Sequence, residues 1–168
     1  MKQLSLFPQP DPKVQEAPAY WKLYVDGAAR NNPGPAGAGI VILKDEAVVD
    51  KQGCYLGSKT NNQAEYCALL LGLFYIKGHM DKDDLVLIIS DSQLLVRQLK
   101  GEYRVKEPHL KPLYALALAM LKDLRYDVAH VLREENEQAD EQANLAVDKK
   151  TPIPAQFLEL LQRHEIHI

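Results

Sequence analysis

Four acidic residues lie far apart in this chain, each where a strand is expected to end or a helix to begin: Asp26, Glu65, Asp91 and Asp140. Each has its own local sequence, respectively YVDGAARNNPGPAG, TNNQAEY, LIISDSQ and REENEQADEQAN. Carboxylates that converge without compensating bases repel one another unless cations lie between them. Their hard oxygen atoms suit Mg²⁺, with Mn²⁺ as a substitute. The four acids therefore predict one metal cluster, in which two ions could support in-line attack on a phosphodiester.

Each acid alone has a plainer explanation. Asp91 could cap the helix that follows it, and Glu65 could simply favour a helix N-terminus. The metal-cluster interpretation therefore depends on the four local sequences taken together.

The length and composition favour one folded domain with short appendages. The chain has 168 residues, of which 46% are hydrophobic and 26% are charged. It contains no apolar run long enough to span a bilayer. No export signal is visible, so we expect a cytoplasmic protein, with a monomer as the simplest assembly. The expected parts are a disordered tail over residues 1–19, a folded domain over 20–150 and a C-terminal helical extension over 151–168.

The net charge of −3 argues against a protein that coats nucleic acid through a large basic surface. It leaves local recognition open, because an acidic site lowers the net charge while a modest basic rim can still contact phosphates.

Three strands in hairpin succession are predicted after the tail. Residues 21–26 alternate apolar and polar side chains, the two-residue period of a half-buried strand that ends at the first acid. Residues 31–39 are interpreted as a Pro- and Gly-rich turn. Ile40–Ile42 then marks the second strand and Val48–Leu56 the third.

A helix and a buried strand are predicted next. Thr60 and Gln63 have the spacing of a capping box, so a helix starts there and Glu65 lies in its first turn. The apolar run Leu85–Ile89 is typical of a central strand buried on both faces, and it leads to Asp91.

The last elements bring the fourth acid back to the sheet. A short helix through Leu99 and a longer one precede a final strand over Tyr126–Leu132. Asn136, Asp140 and Asn144 are spaced four apart, so they share one face of a closing helix. The late strands need crossovers, which favour parallel pairing, and the fold class is therefore mixed α/β.

These local sequences resemble the type 1 ribonuclease H family over about residues 21–147. The match rests on Asp26-Gly27 with Asn32-Pro33-Gly34-Pro35, on Thr60-Asn61-Asn62 leading to Glu65, on Asp91-Ser92-Gln93, and on Asn136 with Ala139-Asp140. The resemblance implies a ribonuclease H-like mixed five-stranded sheet, three antiparallel strands then two parallel ones, flanked by helices. It also implies hydrolysis of the RNA strand of RNA/DNA hybrids with two Mg²⁺ ions, leaving 3′-hydroxyl and 5′-phosphate ends.

The resemblance also implies roles for individual residues. The four acids would be the catalytic metal ligands. Neutral amides both donate and accept, which suits contact with the hybrid and with the 2′-hydroxyls of its RNA. The amides at matching positions are Asn32, Asn61, Asn62, Gln93 and Asn136. For Asn61 and Asn62, helix-start chemistry is the alternative.

The chain departs from the family pattern in two places. Residues 101–106 are short where better-known members carry a long basic protrusion, which predicts weaker or more salt-sensitive hybrid binding. His130 lies ten residues before Asp140, at the family's spacing for an auxiliary histidine on a loop. The strand pattern of Val128–Leu132 instead places His130 inside a strand, and the two interpretations stay open.

The tail carries a second resemblance, to the peptide that bacterial proteins insert into the groove of the DNA polymerase sliding clamp. The matching residues are Gln3, Leu4, Ser5, Leu6 and Phe7. An extended segment offers apolar anchors and one directional polar contact, which suits a groove. The alternative is a leader whose apolar residues fold back on the domain.

Two further functions compete with the enzyme. The chain could be a non-catalytic hybrid-binding module of the same fold, or an adaptor whose globular part only presents the tail to the clamp. The presence of all four acids favours the enzyme.

Overall fold

Three antiparallel strands begin the fold of this chain, for which a computed structural model describes residues 16–168. They are β1 (Tyr20–Ala29), β2 (Gly34–Lys44) and β3 (Ala47–Lys59). β4 (Leu85–Ser90) and β5 (Arg125–His130) add two parallel strands beside β1. The sheet order is β3-β2-β1-β4-β5. The predicted mixed five-stranded sheet is confirmed.

Helices cover both faces of this sheet. They are α1 (Asn61–Lys77), α2 (Gln93–Leu99), α3 (Lys111–Leu121), α4 (Glu137–Lys149) and α5 (Ala155–Arg163), with a 3-10 turn at Arg133–Glu135. The predicted capping box is present at α1, where the Thr60 hydroxyl accepts from the Gln63 amide. α1 is buried along most of its length because it lies between the sheet and the later helices.

The interpretation of residues 31–39 as a turn is wrong beyond residue 33. β2 already begins at Gly34, and its glycines lie beneath α4. A Cβ on Gly39 would lie 2.2 Å from the Ala139 carbonyl oxygen, and one on Gly37 would lie 2.3 Å from that of Ala143. The small residues therefore let a helix approach a strand closely. The final strand also ends at His130, two residues earlier than predicted.

The segment after α4 packs on the face that α1 covers. Phe157 and Leu161 of α5 are fully buried, and the Phe157 ring lies 5.6 Å from the Phe74 ring of α1. The Thr151 carbonyl accepts a hydrogen bond from the Tyr55 amide over 2.8 Å. These contacts extend the core of the domain.

The start of β1 is fastened by a buried carboxylate. Asp84 accepts hydrogen bonds from the Ala19 amide at 2.8 Å, the Trp21 indole at 2.9 Å and the Asp81 amide at 3.0 Å. Burial alone would raise the pKa of Asp84, but these donors outweigh it and lower the pKa. Within residues 16–168, no helix has the length and apolar character needed to cross a membrane.

Candidate active site

Asp26 and Glu65 are brought together by the contact between β1 and α1. Asp26 lies inside β1, is 5% exposed and pairs with Gly39 of β2. The next residue, Gly27, packs directly on the α1 backbone, and its amide donates to Glu65 Oε2 over 3.1 Å. The structure therefore places the first two acids side by side across a strand and a helix.

The structure does not support the alternative that Glu65 simply favours a helix N-terminus. α1 begins at Asn61 and has no acidic residue in its first turn, so the expectation that Glu65 lies there is wrong. The carboxylate instead accepts from the Gly27 amide of the neighbouring strand.

Asp91 lies on a bend between β4 and α2. The Ser92 hydroxyl caps α2 by accepting from the Leu95 amide over 3.2 Å, so Asp91 is not the cap. The Ser92 amide in turn donates to Ser90 Oγ over 3.0 Å. The Asp91 carboxylate is therefore not used as a helix cap and can take part in the acid cluster.

Asp140 is held on α4 by the residue one turn further on. The Asn144 amide group donates to the Asp140 carbonyl at 3.0 Å and to its carboxylate at 3.1 Å. Asp140 and Asn144 share a face of α4 as predicted, whereas Asn136 lies just before the helix as its N-cap. The Asp140 carboxylate is near enough to Asp26 to contribute to the raised pKa of Asp26.

Three carboxylates meet at close range. One oxygen each from Asp26, Glu65 and Asp91 lies within 4.8 Å of the other two. Burial, and then the charges of Glu65 and Asp91, raise the pKa of Asp26 to about 10. Burial and Asp91 likewise raise the pKa of Glu65 to about 8, although the Gly27 amide partly offsets this. Without a cation, both carboxyl groups hold their protons to a higher pH than free carboxyl groups do. All the possible ligand atoms are oxygens, which suits a hard divalent cation, and such a cation would displace the protons when it binds.

A cleft of about 610 Å³ opens over the cluster. Asn61 and Asn62 are part of its lining, as expected for substrate contacts. Several other residues in the lining have no site role predicted from the sequence: Arg30, Ser92, Arg133 and Asn144. Asn144 had a detectable signal in its four-residue spacing from Asp140. No comparable signal marks Arg30 or Arg133, because single cations next to loops are common.

The other predicted amides occupy different surroundings. The Asn32 side-chain oxygen accepts from the Asn61 backbone amide over 3.0 Å, and the Asn61 side-chain oxygen accepts from the Ala29 backbone amide over 3.1 Å. Both side chains therefore stabilise the backbone at the edge of the cleft. Gln93 is exposed at the start of α2. Asn136 is only 1% exposed and donates over 2.9 Å to the carbonyl of Val25, the residue before Asp26, and it is not among the described residues that line the cleft.

His130 is the last residue of β5, as the strand pattern indicates. Its ring is exposed, and Nε2 lies 3.2 Å from the Asp91 carbonyl oxygen.

The mixed sheet has this strand order, three acids meet from β1, α1 and the bend after β4, and Asp140 of α4 lines the same cleft. Together these features define a ribonuclease H-like fold with an acidic cleft. A family described as "Reverse transcriptase-like" matches residues 24–146. The chain belongs to this ribonuclease H-like family.

Two proteins illustrate the similarity. Ribonuclease HI of Halobacterium salinarum is 40% identical over 127 residues, which is 74% of this chain and 63% of that protein. The chain therefore spans less than two thirds of that relative. The crystal structure of RNase H1 from H. salinarum has a TM-score of 0.73 at 36% identity and covers 77% of this chain and 98% of its own. LC11-RNase H1, solved in complex with an RNA/DNA hybrid, has a TM-score of 0.73 at 40% identity, covering 77% and 97%.

Proposed function

We propose that this chain is an endoribonuclease that hydrolyses the RNA strand of RNA/DNA hybrids and leaves 3′-hydroxyl and 5′-phosphate ends. The observation that carries the proposal is the meeting of the Asp26, Glu65 and Asp91 carboxylates within 4.8 Å at the floor of an open cleft. The hybrid bound to LC11-RNase H1 supports the substrate class.

Divalent metal ions suit this floor. Asp26, Glu65, Asp91 and Asp140 would hold two Mg²⁺ ions, with Mn²⁺ as a substitute. When bound, such ions activate a water and stabilise the leaving oxygen of the phosphodiester. The protein's own part has two aspects. Asp26 and Glu65, whose pKa values are raised, would give up their protons when the ions bind, and the surrounding residues would hold the carboxylates in position. Asn144 serves the second task by fixing Asp140.

The amides and cations of the cleft would position the hybrid. Asn61 and Asn62 lie in the lining, where amides can contact RNA hydroxyls. Asn32 and Gln93 would act at the rim. The burial of Asn136 favours a different role from the substrate contact expected of it, since its bond to Val25 holds α4 against β1 and thereby positions Asp140.

The tail would deliver this site to DNA. Residues 3–7, which lie outside the described residues, would bind the sliding clamp. β1 begins at Tyr20 and Asp26 lies six residues further, roughly 20 Å at the usual rise of a strand. A tail that joins the domain at the opposite end of β1 leaves the cleft accessible to the hybrid. Because all four acids come from one chain, a monomer suffices.

Immobilised clamp provides the test of the tail. It should retain the wild type and lose a variant with Leu6→Ala and Phe7→Ala, while Pro10→Ala in the same segment serves as a matched control. Equal retention of all three proteins would refute clamp binding through residues 3–7.

The catalytic proposal is tested by substrate selection and product ends. In Mg²⁺, the protein should cut the RNA strand of a labelled hybrid, leave the DNA strand intact, and yield fragments that a DNA polymerase extends from their 3′-hydroxyls. Binding of the hybrid without cleavage would identify the non-catalytic module instead. Binding of the clamp without any hybrid affinity would identify the adaptor.

A further inference from the structure

Asp91 differs from the other acids in how its backbone is held. Asp26 lies in β1, Glu65 in α1 and Asp140 in α4, so strand or helix hydrogen bonding fixes the main chain at each of them. Asp91 lies between β4 and α2, on a bend. Its carboxylate therefore needs some other constraint to point reproducibly into the cluster.

Part of that constraint comes from the residues on either side of Asp91. The Ser90 carbonyl accepts from the Val131 amide over 3.0 Å, and the Ser90 hydroxyl accepts from the Ser92 amide over 3.0 Å. The Ser92 amide belongs to the same planar peptide unit as the Asp91 carbonyl, so its bond to Ser90 Oγ holds one side of that unit. The carbonyl oxygen on the other side remains available to a further donor. Among residues 16–168, no backbone amide donates to the Asp91 carbonyl.

The side chain of His130 contacts that carbonyl. β4 and β5 are parallel, and Ser90 pairs with His130, so the imidazole lies beside the bend. Nε2 is 3.2 Å from the Asp91 carbonyl oxygen. A carbonyl can only accept, which requires the hydrogen to be on Nε2. In the part of the chain that the structure describes, His130 is not among the residues lining the cleft over the cluster.

We propose that His130 is a positioning residue, which donates from Nε2 to the Asp91 carbonyl and thereby orients the Asp91 carboxylate toward the metal ions. The inference rests on the proposed metal-dependent function. It assigns His130 no proton transfer, because the ring acts on the reaction only through Asp91. A side chain that donates a hydrogen bond from the same place should therefore replace it.

The test compares His130→Ala, which removes the donor, with His130→Gln, whose amide can donate from a similar distance, and His130→Phe, which keeps a ring without a donor. Mn²⁺ binding to the substrate-free full chain is measured by calorimetry, and hybrid cleavage is measured as separate kcat and KM values. Circular dichroism and thermal unfolding confirm that each variant is folded.

We expect the Ala and Phe variants to bind Mn²⁺ roughly tenfold more weakly, the usual effect of losing a partner that orients a metal ligand. The kcat should fall by a similar factor while the KM for the hybrid stays unchanged, and the Gln variant should recover most of both losses.

Three results would overturn the inference. In the first, His130→Ala binds Mn²⁺ and turns over like the wild type. In the second, all three variants lose kcat but bind Mn²⁺ normally, which would give the imidazole a part in the reaction itself. In the third, the wild type binds no Mn²⁺, and the proposed function then fails together with this inference. Normal binding by the wild type separates the first two results from failure of the proposed function.

Discussion

The backbone amide of Gly27 donates to the carboxylate of Glu65 over 3.1 Å, and this contact joins the strand that carries Asp26 to the helix that carries Glu65. A Cβ on Gly27 would lie 2.2 Å from the Glu65 amide nitrogen and 2.2 Å from the Ala64 carbonyl carbon. Backbone atoms cannot move aside as a flexible side chain can. The spacing of the two acids therefore depends on the absence of a side chain at position 27.

Gly27→Ala should force β1 and α1 apart. We expect a loss of about 1–3 kcal/mol in the free energy of unfolding, the usual cost of overpacking, together with a large loss of kcat. Urea unfolding and hybrid cleavage measure the two effects. The matched control is Gly78→Ala, whose Cβ would meet only the Tyr75 carbonyl oxygen at 3.6 Å. A Gly27→Ala variant that is as stable and active as this control would contradict the account of the contact.

The acid cluster should make the metal-free protein less stable as the pH rises. Asp26 has a pKa of about 10 instead of 3.8, and Glu65 one of about 8 instead of 4.5. Between about pH 4 and pH 8 the folded state therefore holds protons that the unfolded chain releases. The stabilisation that these protons give to the folded state is therefore lost as the pH rises through that window. Thermal unfolding in a chelator, followed from pH 5 to pH 8, measures the decline.

Asp26→Asn should remove much of that decline. At pH 8 without metal, we expect the variant to be more stable than the wild type by about 1–2 kcal/mol, or a few degrees in Tm. Added Mg²⁺ should stabilise the wild type more than the variant, since only the wild type keeps the full set of ligands. Glu141→Gln, an exposed change on α4, serves as the control. A lower stability for Asp26→Asn at pH 8 would contradict the origin given for these pKa shifts.

Asn136→Ala distinguishes positioning from substrate contact. The substitution removes the donor to the buried Val25 carbonyl, so we expect it to cost about 1–3 kcal/mol of stability and to lower kcat through a misplaced Asp140. KM for the hybrid should stay unchanged. Gln138→Ala, on an exposed side of the same helix, is the control. A raised KM with unchanged stability would show instead that Asn136 contacts the hybrid.

Asp84→Ala should weaken the fold without affecting the chemistry. The change leaves the amides of Ala19 and Asp81 and the Trp21 indole without their acceptor, which should cost about 1–3 kcal/mol. Because the pKa of Asp84 is lowered, its contribution is present above the ordinary value of 3.8 and is lost as the pH falls below it. Chemical unfolding at pH 7 and pH 3 measures this. Asp83→Asn, an exposed neighbour, should change neither stability nor kcat, and an equal effect of the two variants would contradict the assignment.

The strand periods, the capping box at Thr60 and the position of β4 before Asp91 could be predicted because local hydrogen bonding and apolar runs determine them. Burial of the whole run Leu85–Ile89 on both faces was not correct, since Leu85 is exposed and Leu87 is half-buried. The start of β2 could not. A stretch rich in glycine and proline has the composition of a turn, and only the tertiary approach of α4 shows that Gly37 and Gly39 are strand residues beneath a helix.

The candidate site could likewise be predicted from the sequence only in part. The four acids could be identified because each has a specific local sequence. Burial of Asn136 against the Val25 carbonyl could not be predicted from the sequence, since a helix-start asparagine facing solvent has the same neighbours in sequence. The contact between His130 and the Asp91 carbonyl depends on the parallel register of β4 and β5, which joins residues 39 positions apart.

Hybrid cleavage by the wild type and by Asp91→Asn, titrated with Mg²⁺ and with Mn²⁺, tests the central claim most directly. Asparagine keeps the size of the side chain and removes the charge of one ligand, so the fold should persist. We expect metal-dependent cleavage by the wild type and a loss of more than roughly a hundredfold in kcat for the variant, beyond the effect of losing an outer partner of a ligand. Cleavage by Asp91→Asn at the wild-type rate, or no cleavage by the wild type with either metal, would contradict the assignment of this chain as a metal-dependent hybrid endonuclease.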